Sequence, residues 1–333
     1  MATLGSSSQT LVDWAKQLDP NGKIADVAEL LSQKNEVLTD MLWQEGNLPT
    51  GHRITQRTGL PTVYWRLLNQ GTPSSKDTTA QVDEQTGMLN ARSQVDKKLA
   101  ELNGNVKRYR LSRAKAFLEA MNQEMASTLF YGNSGTAPEE YTGLAVRYSD
   151  IGSGAPANAQ NILDGGGTGS DNSSVWLCGW GDDTFYGIFP KGSKAGLSHT
   201  DLGLDDVLDS SSNTYRAYKD LFEWDCGIAL EDWRYVVRIA NIDISALVAK
   251  ASAADLIELM IKATHRIPNL KGCKPAFYMN RTCFQMLDIQ RRDDVISGGG
   301  LTYSNVDGVI TPTFRGIPVR VCDSLTEAEA QVL

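Results

Sequence analysis

The segment from Asn47 to Gly104 constrains the fold most, because it is too poor in large apolar side chains to form a core. It is rich in Gly, Pro, Thr, Ser and Gln, and few large apolar residues follow Gly71. A chain that buries little apolar surface cannot offset the conformational entropy that it loses on ordering. One β-rich run, Thr62–Leu68, predicts a strand. We therefore expect a long two-stranded excursion that rests on something else.

The strongest helical pattern follows this segment. Apolar residues recur at helical spacing, at Ala114, Phe117, Leu118, Met121, Met125 and Leu129. Ser112 is the predicted N-cap, and Gly132-Asn133 ends the pattern. A helix of about 20 residues is about 30 Å long. It is long enough to serve as a scaffold for the elements around it.

The remaining patterns predict an α+β fold with one long helix and mixed strands. Near the N-terminus, a helical stripe at Ile24, Val27, Leu30 and Leu31 predicts an arm rather than a domain. Asn280 and the capping pattern Ser252–Asp255 each begin a predicted helix. The predicted strands in the second half are Val175–Cys178, Thr184–Phe189, Trp233–Ile239, Pro275–Met279 and Ile317–Val321.

Charge is distributed unevenly along the chain. The net charge is −8, which argues against a protein whose main role is to grip phosphate backbones. Yet residues Gly51 to Arg110 carry a net charge of +5, and nine acidic residues between Asp201 and Asp232 accompany two basic ones. Two interpretations remain open: two solvated faces, or complementary charge between copies of the chain in an assembly.

The chain lacks the motifs of well-marked catalytic chemistries. His52, His199 and His265 are far apart and show no zinc-ligand spacing, and neither a nucleophile elbow nor a P-loop occurs. The glycine-rich run Asp164–Gly169 precedes polar residues instead of a helix, which predicts a flexible loop. We therefore predict no enzymatic activity and no catalytic, cofactor-binding or metal-binding residues.

No membrane or export segment is expected either. The apolar window Ile244–Thr264 is interrupted by Lys250, Asp255 and Glu258, which would be costly in a bilayer. The first residues, Met1–Ser6, have neither a cationic nor a long apolar region. These observations predict a protein that acts in the cytosol and away from membranes.

Several short runs resemble the major capsid proteins of short-tailed (podovirus-type) bacteriophages. Their order along nearly the whole chain carries the resemblance. The runs are Gly46–His52, Arg57–Pro61, Tyr64–Arg66, Ala116–Met121, Leu129–Asn133, Phe189–Leu197, Phe277–Arg281, Phe314–Arg320 and Asp323–Leu325.

This resemblance implies the Hong Kong-type capsid fold of tailed phages. The implied parts are an N-terminal arm, an extended loop, a spine helix, an axial domain and a peripheral domain. With approximate boundaries, they correspond to residues 1–48 (arm), 49–105 (extended loop), 106–132 (spine helix of the peripheral domain), 133–230 (mainly axial) and 231–333 (mainly peripheral).

The implied function is a structural one. Hexamers and pentamers of the chain would form an icosahedral shell around the double-stranded DNA genome. The shell would assemble in the bacterial host cytoplasm and would enclose the DNA without sequence-specific binding. A portal, a scaffolding protein and possibly a decoration or cement protein are the implied partners. Alternatives are the shell of a cellular nanocompartment of the encapsulin type, a protein that decorates a shell, and a soluble enzyme.

The charge pattern then gives a hypothesis for contacts between subunits. Basic residues of the extended loop would lie over acidic surface of an adjacent copy and set the register of the contact. The candidate residues are Arg53, Arg57, Arg66 and Lys76 in the loop, and Asp201, Asp205, Asp206, Asp220 and Glu223 on the acidic surface.

Overall fold

The computed structural model describes residues 32–333, apart from 103, 153, 210, 251–253, 294–300 and 307–308. The helical stripe predicted before Leu31 lies outside these residues. The helices are α1 (Val37–Asp40), α2 (Lys97–Glu101), α3 (Val106–Tyr131), α4 (Leu144–Arg147), α5 (Ile244–Ala249), α6 (Leu256–Thr264) and α7 (Arg281–Asp293).

The strands complete an α+β fold, as predicted. They are β1 (Trp43–Glu45), β2 (Gly51–Gly59), β3 (Thr78–Asp96), β4 (Ile162–Asp164), β5 (Asn172–Trp180), β6 (Phe185–Phe189), β7 (Ser198–Leu208), β8 (Thr214–Leu230), β9 (Val236–Asp243), β10 (Lys274–Met279), β11 (Leu301–Val306), β12 (Val309–Phe314) and β13 (Ile317–Val321).

The chain forms two compact units. Among the described residues, the first unit contains 32–33, 88–126 and 196–225, and the second contains 34–87, 127–195 and 226–333. Strands on both sides of residue 230 therefore share the second unit. The axial and peripheral boundaries implied by the resemblance stay predictions.

The sheet of the second unit is built around β5. This strand pairs antiparallel with β9 and β10, and β10 pairs parallel with β13. All nine residues of β5 are buried. Leu177 packs in a cluster with Met260 of α6 and Leu287 of α7, while Trp176 contacts the ring of Phe130. Apolar contacts on both faces explain the continuous apolar run Val175–Cys178 within this strand.

Most predicted elements of this sheet are confirmed, and one is corrected. Strands occur where Val175–Cys178, Thr184–Phe189, Pro275–Met279 and Ile317–Val321 predict them. The strand predicted from Trp233 begins only at Val236. Trp233–Tyr235 forms a 3-10 turn instead, because the Asp232 carboxylate accepts a hydrogen bond from the Arg234 backbone amide. Competition of this kind from an Asp side chain favours turns.

Of the two helix starts predicted in the second half of the chain, the one at Asn280 is confirmed. Asn280 caps α7, since its side-chain oxygen accepts a hydrogen bond from the Cys283 amide at 2.7 Å. The capping pattern that begins at Ser252 falls partly outside the described residues. The observed cap of α6 is Asp255, whose carboxylate accepts a hydrogen bond from the Glu258 amide at 2.9 Å.

The long helix is confirmed, although its start is not the predicted one. It ends at Tyr131, just before Gly132, but it begins at Val106. Ser112 is therefore inside the helix and not its N-cap. Asn105 takes that role, because its side-chain oxygen accepts a hydrogen bond from the Arg108 amide at 3.1 Å. In the first unit, Phe117 of this helix stacks on Phe222 of β8.

Candidate functional site: the extended hairpin and the acidic strands

An extended hairpin leaves the second unit, as the poverty of apolar residues predicts. Strands β2 and β3 pair antiparallel, with Gly51 opposite Gln85 and Gly59 opposite Thr78. Every residue from 60 to 83 is exposed. We call residues 60–77 the outer segment, and residues 47–56 with 83–87 the hairpin root.

The outer segment contains large apolar side chains that the subunit leaves in water. The ring of Trp65 is fully exposed, and Leu68 is 89% exposed. The other exposed apolar side chains of this segment are Leu60, Val63, Tyr64 and Leu67. Monomeric proteins rarely expose so many large apolar residues together, so this segment is suited to contact another molecule.

The strand predicted over Thr62–Leu68 is wrong. These residues form no regular element, and within the described chain no strand pairs with them. A strand needs a ladder of hydrogen bonds to a neighbour, which a β-rich composition alone cannot supply. The apolar run inside an otherwise polar segment was the sequence signal for a contact surface.

Two of the four candidate basic residues have partners in the hairpin itself. Arg53 forms a two-bonded ion pair with Asp83, at 2.6 and 2.7 Å, and these hydrogen bonds lower the pKa of Asp83. Arg57 lies 3.0 Å from the carboxylate of Asp77. Both pairs connect the two sides of the hairpin at the surface, where solvent screens such pairs and they stabilise little.

The other two candidates extend from the outer segment. Arg66 and Lys76 are exposed and have no acidic partner in the part of the chain that the structure describes. Both side chains therefore leave positive charge exposed on the outer segment.

The candidate acidic residues belong to the first unit, and one of them is not on the surface. Asp220 is only 5% exposed and accepts a hydrogen bond from Arg110 at 2.6 Å. His199 lies 3.0 Å from the same carboxylate. Asp201 also binds Arg110, at 2.5 Å, and this contact lowers the pKa of Asp201. Asp220 therefore neutralises a neighbouring arginine and is not part of an accessible acidic surface.

The remaining acidic candidates lie along the β7–β8 hairpin. Asp205 pairs with Lys219 at 2.7 Å, and Asp206 pairs with Arg216 at 3.3 Å. Both carboxylates remain more than half exposed. Glu223 is half-buried and makes no ion pair with the described residues. Asp205 and Asp206 are thus accessible, but each is already partly compensated across its own hairpin.

Two further questions are metal binding and membrane crossing. Among the residues it describes, no cluster of three or more His, Cys, Asp or Glu side chains could hold a metal ion. In the same residues, no helix is sufficiently long and apolar to cross a membrane. Asp164–Gly169 runs from the end of β4 into a loop before β5, in line with its predicted loop character.

Comparison with known proteins gives a family match over most of the chain and a structural match over all of it. The model of the family Major capsid protein GP7 matches residues 19–333. The chain is also similar to a protein in the structure of bacteriophage Epsilon15, with 30% sequence identity and a TM-score of 0.79. That match covers 100% of this chain and 99% of the other.

More distant structures show weaker likeness. A capsid structure of bacteriophage JBD30 matches with 10% identity and a TM-score of 0.49, covering 89% of this chain and 92% of that one. The SrpI encapsulin of Synechococcus elongatus matches with 10% identity and a TM-score of 0.47, covering 71% and 96%. The comparison with curated protein sequences gives no match.

Proposed function

Because the chain belongs to the family of the major capsid protein GP7, we propose that rings of five and six copies build an icosahedral shell around double-stranded DNA. The chain is a capsid shell protein of a tailed phage, and its fold is the Hong Kong-type capsid fold. A closed shell requires one chain to make repeated contacts that close into rings. The proposal therefore depends on surfaces that a single copy leaves uncovered.

The exposure of the outer segment is the observation that carries this proposal. Trp65 is fully exposed in the single chain, and Leu67 and Leu68 are 70% and 89% exposed. Each large apolar side chain that becomes buried contributes about 1.5–3 kcal/mol. We infer that an adjacent copy covers this segment, so that much of its stability belongs to the particle and not to the free subunit.

Charged side chains would also contribute to this contact. Arg53 and Arg57 are paired within the hairpin, whereas Arg66 and Lys76 are free to meet carboxylates of a neighbour. Exposed candidates on that neighbour are Asp205 and Asp206. Such pairs contribute register and salt sensitivity more than affinity.

The contents and partners of the shell follow from the same proposal. The net charge of −8 suits a lining that lets packaged DNA move, since a strongly basic lining would hold phosphates tightly. We propose that the DNA is enclosed without sequence-specific binding and that the chain has no enzymatic role. Assembly in the host cytoplasm with a portal, a scaffolding protein and possibly a decoration protein completes the proposal.

Electron microscopy of purified particles, with sizing, tests the role of the outer segment. We expect shells from the wild-type chain, and folded subunits without shells from the triple variant Trp65→Ser/Leu67→Ser/Leu68→Ser. The matched control Thr72→Ala/Ser74→Ala changes polar residues of the same segment and should assemble normally. Shells of normal yield from the triple variant would contradict the proposal.

The contents of the same particles separate two kinds of shell. Double-stranded DNA in particles made during phage growth supports the phage shell. Enclosed enzymes without DNA would instead support a cellular nanocompartment. A wild-type chain that remains a monomer or dimer with its neighbouring phage proteins would exclude both.

Charge reversal tests the electrostatic part separately. Arg66→Glu/Lys76→Glu should slow assembly at low salt and change its salt dependence. The comparison variant is Arg53→Glu/Arg57→Glu. It also reverses two positive charges, but these charges are paired with carboxylates of the same hairpin. Equal assembly of the wild type and the Arg66/Lys76 variant across salt concentrations would remove these residues from the contact.

A further inference from the structure

A buried ion pair connects the hairpin root to residues 142–147. The guanidinium of Arg147, just at the end of α4, donates to both carboxylate oxygens of Glu84 in β3, each at 2.6 Å. Arg147 also donates to the backbone oxygen of Thr142, at 3.1 and 3.2 Å. The side chain of Glu84 is 6% exposed and that of Arg147 is 17% exposed. Charged groups with such low exposure need this degree of pairing.

The backbone of the root is also tightly packed where its two strands meet. A Cβ atom on Gly51 would overlap the carbonyl oxygen of Glu84, so only glycine allows β2 to approach β3 this closely. On the other strand, the Thr86 amide donates to the Thr50 oxygen at 3.2 Å. Ile54 is buried in a small apolar cluster with Tyr186, Ile188 and Ala229.

Two side-chain amides secure the other edge of β2. Asn47 both accepts from the Arg53 amide, at 2.7 Å, and donates to the Arg53 carbonyl, at 2.8 Å. Gln56 donates to the carbonyl oxygens of Leu230 and Glu231, at 3.2 and 2.8 Å. The root is therefore held at one face by an ion pair and at its free edge by amide contacts.

The neighbouring residue offers an internal comparison. Asp83 precedes Glu84 in β3, and successive side chains of a strand point to opposite faces. Asp83 also forms a two-bonded pair with an arginine, Arg53, but both partners are about half exposed. Two pairs of the same chemistry at adjacent positions thus differ mainly in burial and in what they connect. Asp83 joins the two hairpin strands, whereas Glu84 joins the hairpin to the segment 142–147.

We propose that Glu84 and Arg147 are positioning residues, which fix the direction in which the hairpin leaves the second unit. The outer segment is exposed along its whole length, and its one ion pair to the strands among the described residues, Arg57–Asp77, lies at its end. Its place in space therefore depends on how firmly the root is held. This inference rests on the proposed docking of the outer segment on another copy. Loosening the pair should lower assembly while the rest of the subunit stays folded.

The first test compares Glu84→Gln with the matched control Asp83→Asn in the free subunit. Each change removes one charge and keeps the size of the side chain. We expect amide hydrogen exchange in residues 51–56 and 82–87 to be about tenfold faster in Glu84→Gln and unchanged in Asp83→Asn, with wild-type exchange in β5 of both. Equal exchange in the two variants would overturn the positioning role, whatever the assembly yields are.

Assembly provides the second readout. Glu84→Gln should form shells at a yield about tenfold below that of Asp83→Asn. The reason is that the fraction of subunits with a correctly placed hairpin should fall by the same factor by which hydrogen exchange in the root increases. A Glu84→Gln subunit with a loosened root and a normal shell yield would overturn the proposal. If Glu84→Gln does not fold, Arg147→Lys replaces it, because lysine keeps the charge but cannot form the two-bonded pair. A wild-type chain that forms no shells would refute the proposed function, and the exchange comparison would then decide the positioning role alone.

Discussion

The central strand β5 and the outer segment of the hairpin belong to the same unit but have opposite environments. Every residue of β5 is buried, and every residue of the outer segment is exposed. Both contain large apolar side chains, including Trp176 in the strand and Trp65 in the segment. Apolar composition is therefore not what distinguishes them. The difference is that β5 finds its partners within the chain, whereas we propose that the outer segment finds them on another copy.

The hairpin root lies between these two extremes. Its backbone is packed and hydrogen-bonded as in the sheet, yet only residues 57–59 and 78–82 separate it from the exposed outer segment. If the comparison is correct, substitutions in the sheet should lower subunit stability most. Those in the root should lower it less, and those in the outer segment least. Effects on assembly should not follow that order.

The largest loss of subunit stability is expected in the sheet. Phe277 is fully buried and meets Phe314 edge to face at 5.8 Å. Phe277→Ala should lower the free energy of unfolding of the separated subunit by about 3–5 kcal/mol. Denaturant titration measures this loss. Leu67→Ala in the outer segment is the control and should change it by no more than about 0.5 kcal/mol.

An intermediate loss is expected at the root. Gly51→Ala places a methyl group against the Glu84 carbonyl and should cost about 1–3 kcal/mol. Gly71→Ala is the matched control, because a Cβ atom there meets nothing within 4 Å. The same denaturant titration compares the two. Equal stabilities would mean that the root is as loosely held as the outer segment.

A smaller loss of stability is expected at acid pH, from one ion pair of the second unit. Arg281 donates to both oxygens of Asp323 at 2.7 Å and lowers the pKa of that carboxyl. A carboxyl whose folded-state pKa lies below the unfolded value, about 3.9, stabilises the protein above that pH. Its contribution is lost as the pH falls through the folded-state pKa. Thermal unfolding between pH 5 and pH 2, on the order of the range where carboxyls titrate, measures the loss.

Two variants check the origin of this acid effect. Asp323→Asn and Arg281→Gln should each lower stability at neutral pH and flatten the acid limb of the stability curve. The two should also be similar, since each removes the same pair. An unchanged acid limb in either variant would show that other carboxyls determine it.

The smallest effect on the free subunit is expected from Trp65→Ala. The side chain is fully exposed, so the free energy of unfolding should change by no more than about 0.5 kcal/mol. Shell yield should nevertheless fall, because the proposed contact with another copy would bury the ring. A clear loss of subunit stability would break the comparison by showing that Trp65 is buried within its own chain in solution.

Local sequence patterns predicted the elements that have regular apolar spacing, a continuous apolar run or an explicit cap. The long helix, β5, β10 and the Asn280 cap follow from apolar spacing and capping chemistry. The strand predicted over Thr62–Leu68 failed because pairing depends on a neighbour that composition does not reveal. The start of α3 was misplaced because apolar spacing becomes regular only after Ser112, well inside the helix.

Site residues were harder to predict than the fold. Charge counting identified Asp220 as surface, but Arg110, distant in sequence, buries and neutralises it. The Glu84–Arg147 pair joins residues 63 positions apart, and neither residue stands in a recognisable motif. Long-range pairs of this kind are set by topology, so a single sequence contains no local signal for them.

The central claim is that the outer segment is covered only in the assembled shell. Hydroxyl-radical footprinting of Trp65, compared between free subunits and shells, tests it most directly, with buried Trp176 as the internal reference. The account predicts rapid oxidation of Trp65 in free subunits, protection in shells, and slow oxidation of Trp176 in both. Equal oxidation of Trp65 in free subunits and shells would contradict it.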